Sequence, residues 1–115
     1  MLRSIFPAAS QISMKTKNRF SILLEHLMSV ADLKNSVLAK AVQYDDSYIS
    51  KWISGKLLPT EKNHEATLQA ISTCVVDSLT EDGTAQLLQE YQLQDIQDLK
   101  TAIYDNLESE YAYVK

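Results

Sequence analysis

Three features of the chain predict an all-α fold. Helix breakers are scarce, with two Gly and two Pro in 115 residues. No Val-rich run alternates apolar and polar residues as a half-buried strand does. Apolar residues recur instead at helical spacing: Phe20, Leu23, Leu24, Leu27 and Met28 fall on one stripe. Hydrophobic residues make up 45% of the sequence, enough to build a core.

The elements follow in order. Residues 1–16 read as a flexible leader, with Met14 as a plausible second start. Its apolar run is too short for a signal peptide. The first helix is predicted over 18–30, with Asn18 as its cap. The second is predicted over 36–42, capped by Asn35, with Leu38, Ala39 and Val42 inward. Gln43-Tyr44-Asp45 forms a turn, and Asp45 can cap a third helix over 46–54. On that helix Ile49, Trp52 and Ile53 face inward, while Asp46, Ser47, Ser50, Lys51 and Ser54 face away. Gly55 suits a left-handed helix end, and Pro59 delays the next helix. A fourth helix is expected over 61–79 through Leu68, Ile71, Val75 and Leu79. Asp82-Gly83-Thr84 reads as a turn, with Thr84 capping a short helix over 85–91. The last helix is predicted over 95–113 through Ile96, Leu99, Ile103, Tyr104, Leu107 and Tyr111. The sequence ends in phase with that helix, as expected for the N-terminal part of a longer regulator.

Charge divides the chain. The net charge is −4, yet residues 14–64 carry +3 and residues 65–115 carry −8. A mildly basic front half and an acidic rear half suit a binding domain with an appendage. The single Cys74 excludes an intrachain disulfide and fits a reducing, cytoplasmic setting. No stretch approaches the roughly 20 apolar residues that span a membrane. No Ser/His/Asp set or Gly-rich phosphate loop is present, so neither an enzyme nor a cofactor is expected. His26 and His64 lack partners at ligand spacing, and no metal site is predicted. Cys74 reads as a small buried hydrophobe. Tyr91, Tyr104, Tyr111 and Tyr113 read as a packing seam rather than a ligand cage.

The segment Asn35–Leu58, NSVLAKAVQYDDSYISKWISGKLL, is the informative one. Two short helices joined by a three-residue turn must cross near a right angle. The crossing needs a small residue, here Ala39, with apolar neighbours Leu38 and Val42. The turn needs an apolar anchor, Tyr44. The second helix needs Ile49 and Trp52. These strings, together with Ser54-Gly55-Lys56 and Pro59, resemble the helix-turn-helix of the Cro and lambda-repressor superfamily, the XRE family, over about residues 17–79. In two places the chain departs from that pattern. Gln43 stands where the family usually has Gly, and an acidic pair, Asp45-Asp46, opens the third helix.

The resemblance implies a four- to five-helix repressor-like domain over 17–79, followed by an acidic C-terminal helical hairpin over 80–115 that serves dimerisation or a link to a further domain. It implies sequence-specific binding of double-stranded DNA for transcriptional regulation, with the third helix in the major groove. Base contacts would come from Asp46, Ser47, Ser50 and Lys51. Phosphate contacts would come from Asn35, Ser36, Tyr48, Lys56, Lys62 and Asn63, with Lys17 and Arg19 adding charge at the edge. Leu38, Ala39, Val42, Tyr44, Ile49, Trp52 and Gly55 would form the structural core of the motif. The apolar seam of the last helix is too large for a lone tail, so that helix is expected to fold back on the first or fourth helix and also to support a homodimer through the C-terminal helices. The alternative is a protein-interaction module, an antitoxin or adaptor, with a regulatory protein or peptide as partner.

Overall fold

A computed structural model describes residues 17–115; the expected leader, 1–16, lies outside the described residues. Among the described residues six α-helices follow one another: α1 Arg19–Val30, α2 Asn35–Val42, α3 Asp46–Ser54, α4 His64–Ser78, α5 Glu81–Glu90 and α6 Leu99–Val114. Single 3-10 turns, Glu61–Asn63 and Ile96–Asp98, lead into α4 and α6. No strand occurs among the described residues, which are all-α. No helix among them is long and apolar enough to cross a membrane.

The predicted stripes become one core. Phe20, Leu24 and Leu27 of α1 meet Leu38 and Ala39 of α2, Ile49 and Trp52 of α3, and Leu68, Ile71 and Val75 of α4. Leu87 of α5 and Leu99, Ile103, Leu107 and Tyr111 of α6 belong to the same cluster. Asn18 caps α1 as expected, in a reciprocal box: its Oδ1 accepts from the Ser21 amide at 2.8 Å, and the Asn18 amide donates to Ser21 Oγ at 2.8 Å.

Three expectations are corrected. The last two helices do not pair into a hairpin of their own: α6 packs on α4 and α1, and α5 leans on α1. The apolar seam of α6 is buried against α4 and α1, the fold-back on the first or fourth helix that its length of seam predicts. Asp82-Gly83-Thr84 is not a turn. Thr80, not Thr84, caps α5, its Oγ1 accepting from the Gly83 amide at 3.1 Å. Gly83 is there for proximity: a Cβ added to it would lie 2.9 Å from the Val30 carbonyl oxygen, closer than α1 and α5 permit. Cys74 is only half-buried.

Helix ends explain how the chain turns with so little glycine. Asp32, Gln43, Gly55 and Gln92 all have left-handed φ, at 52°, 64°, 87° and 58°. At each, the next amide reaches back five residues and the residue's own amide three. At Gln43 these bonds are Tyr44 N to the Ala39 carbonyl, 2.9 Å, and Gln43 N to the Lys40 carbonyl, 3.3 Å. This is the Schellman closure, which couples the chain reversal to an apolar contact just beyond it. It is the reason Tyr44 anchors the turn. Only Gly55 makes the turn free of Cβ strain.

Two outcomes follow for stability. Ala39 is 2% exposed on a helix packed against α3 and α4, so Ala39→Leu should lower stability by about 1–3 kcal/mol through overpacking. Gln43→Gly should raise it by up to about 1 kcal/mol by removing left-handed strain. Denaturant melts of the two variants against the parent check both; an unchanged midpoint for Ala39→Leu would contradict the helix pairing described here.

Candidate nucleic-acid interface

α3 is amphipathic in the sense its sequence requires. Ile49 and Trp52 are buried at 0% and 1% exposure, while Asp46, Ser47, Tyr48, Ser50 and Lys51 are all exposed. Trp52 is held by Tyr44, ring centroids 5.3 Å apart, and Tyr44 meets Tyr48 edge to face at 5.1 Å. Trp52 is therefore core, and Tyr48 is the exposed end of the aromatic row. The Lys51 ammonium lies 5.9 Å from the Tyr48 ring centroid, which biases its long side chain along the outer face of α3.

One hydrogen bond joins the expected base set to the expected phosphate set. Asn35 Nδ2 donates to Ser50 Oγ at 3.3 Å. It lays the first turn of α2 against the exposed face of α3. Asn35 is not the N-cap of α2, as was expected; Lys34 holds that position, and no side chain caps the helix. The Asn35 side chain is directed across to α3 instead. Asp45 is the N-cap of α3 but makes no side-chain capping bond. The carboxylates of Asp45 and Asp46 stand exposed at the positive end of α3.

The rest of the phosphate set follows α3 in the chain. Gly55 closes the helix, with the Lys56 amide donating to the Lys51 carbonyl at 3.0 Å and leaving the Lys56 side chain exposed. Lys62 and Asn63 sit on the exposed 3-10 turn before α4. Asn63 shares a hollow of about 330 Å³ with Gln43 and Tyr44, which places it beside the α2–α3 turn. Ser36 is exposed on the first turn of α2. Sequence reasoning did not single out Lys34 or Lys40, which are also exposed on this segment; their signal is only that they are unpaired.

Pairing sorts the cations. Among the described residues, Lys34, Lys40, Lys51, Lys56 and Lys62, together with Lys100 on α6, form no ion pair, whereas Lys17, Arg19 and Lys115 each do. The expected edge role of Lys17 and Arg19 is corrected on this ground. Lys17 pairs with Glu25 at 2.6 Å and donates to the Ile53 carbonyl at 3.0 Å, so its charge lies at the negative end of α3. Arg19 forks onto Glu110 at 2.6 and 3.1 Å and lies 4.1 Å from the Tyr113 ring centroid. The Glu110 carboxylate holds the Arg19 pKa above its ordinary value.

The two histidines are not brought together. His26 contacts Glu90 at 2.8 Å, linking α1 to α5. His64 contacts the Glu61 carbonyl through Nδ1 at 3.0 Å and Glu108 through Nε2 at 3.4 Å. The bond to the Glu61 carbonyl, with the Glu108 carboxylate behind it, raises the His64 pKa against a smaller lowering by burial. No group of three or more metal-ligating side chains occurs among the described residues. Comparison of the chain with family models, curated proteins and solved structures found no match.

Proposed function

We propose that this protein binds double-stranded DNA and regulates transcription, using α2 and α3 as a helix-turn-helix of the repressor type. The observation that carries the reading is the sorting of cations. Five lysines between residues 34 and 62 are exposed and unpaired, while Lys17, Arg19 and Lys115 are paired within the chain and, among the described residues, Lys100 alone is an unpaired cation outside that segment. Unpaired lysines are what a polyanion recruits, and their counterion release supplies the sequence-independent part of affinity. In this reading α3 lies in the major groove. Asp46, Ser47, Ser50 and Lys51 meet base edges, Lys51 donating to guanine and Asp46 accepting from a cytosine amino group. Asn35, Ser36, Tyr48, Lys56, Lys62 and Asn63 meet phosphates.

A homodimer would set two recognition helices about 34 Å apart. Because the main seam of α6 is internal, the C-terminal apolar surface available for it centres on Ile96 and Tyr113, 52% and 69% exposed. One observation favours the second reading, a protein-interaction module: the exposed carboxylates of Asp45 and Asp46 at the head of α3 repel phosphates and suit a basic protein or peptide.

The two sets of lysines should fail differently. Lys51→Ala should cost about 1–3 kcal/mol on a duplex selected from a random pool and relax preference at one base pair. Lys56→Ala should weaken selected and scrambled duplexes alike and lower the salt slope by about 1. Titrations of both variants at two salt concentrations read this directly. Identical behaviour would remove base reading by α3, and no effect from either would favour the protein partner.

A further inference from the structure

Between Gly55 and the 3-10 turn at Glu61 the backbone has no helix or strand to hold it. Yet this stretch and the turn after it carry Lys56, Lys62 and Asn63. Side chains must therefore fix their position, and three contacts from one place do so. Tyr111, 3% exposed on α6, donates its hydroxyl to the Pro59 carbonyl at 2.8 Å. Pro59 is itself buried, and a buried carbonyl needs a partner. The Tyr111 ring stacks on His64, centroids 4.6 Å apart and planes within 7°. His64 in turn binds the Glu61 carbonyl at 3.0 Å. One turn further along, Lys115 pairs with the Glu61 carboxylate. Tyr111 also meets Phe20 of α1 edge to face at 6.0 Å, so the clasp is rooted in the core.

We infer that the last turn of α6 positions the phosphate-contacting segment of the DNA site, with the Tyr111 hydroxyl bond to Pro59 as its pivot. The inference rests on the DNA-binding reading and deepens it: the acidic rear half of the chain regulates the basic front half by holding Lys62 and Asn63 in place. Tyr111 is a positioning residue and touches no nucleic acid. Any event that loosens the end of α6, such as a partner engaging the exposed Tyr113 beside it, weakens the site without touching α3.

The test uses Tyr111→Phe, which keeps the ring and its stacking on His64 and removes only the hydroxyl. Tyr91→Phe is the control, since its hydroxyl accepts from Asn106 at 2.8 Å, away from the segment. Each variant is titrated with a selected and a scrambled duplex at about 50 and 200 mM salt. Amide hydrogen exchange of residues 56–63 is followed in the free proteins. The expected result for Tyr111→Phe is a roughly two- to tenfold loss on both duplexes. The salt slope should fall by about 1, base preference should be unchanged, and exchange across 56–63 should be faster while α3 stays protected. Tyr91→Phe should match the parent. If Lys62→Ala weakens binding but Tyr111→Phe leaves affinity, slope and exchange as they were, the inference is wrong and the DNA reading stands. If the parent protein binds neither duplex at 50 mM salt, the DNA reading fails and takes the inference with it.

Discussion

The buried seam of α6 is the interaction on which the rest depends. Helices of eight and nine residues, such as α2 and α3, are too short to persist alone in water and need a scaffold. α1 and α4 provide it, and α6 packs on both. Leu99, Ile103 and Leu107 are fully buried there, each contributing about 1.5–3 kcal/mol by leaving water. Such a contribution is large beside the 5–15 kcal/mol that separates folded from unfolded domains. The C-terminal segment is thus part of the same core as the α2–α3 pair.

That constraint also arranges the charge. Docking α6 on α1 and against the entrance to α4 brings its carboxylate Glu110 to Arg19, and its Lys115 to Glu61. Glu110 of the acidic rear thus neutralises Arg19, Glu25 of α1 takes Lys17, and the lysines between 34 and 62 are left unpaired. A net charge of −4 describes the whole protein but not this surface. For a nucleic-acid partner, the local field around α2, α3 and the following segment is what matters.

Much of this was legible in the sequence because it is local. Helical periodicity located α1 to α4 and α6, and Gly55 announced the end of α3. The small Ala39 and the aromatic Tyr44 marked the closing of α2 onto α3. What was not legible depends on contacts distant in sequence. Gly83 reads as a turn breaker until Val30 is seen beside it. Thr84 looks like a cap until Thr80 is seen to accept from the Gly83 amide one turn earlier. Lys17 and Arg19 look like free charges until Glu25 and Glu110 come within reach, and Asn35 looks like a cap until Ser50 lies opposite. Gln43, standing where the resembled family usually has Gly, takes a left-handed φ, and a side chain there is tolerated because the Schellman bonds and Tyr44 packing over-determine the turn.

DNA is proposed to meet the face made by α3, the first turn of α2 and the segment through Asn63. Backbone amide chemical-shift mapping during titration with a short mixed-sequence duplex at low salt tests it most directly. Shifts should concentrate in residues 34–36, 46–51 and 56–63, and shrink as salt is added. Shifts confined to the α1–α6 face, or absent altogether, would contradict it.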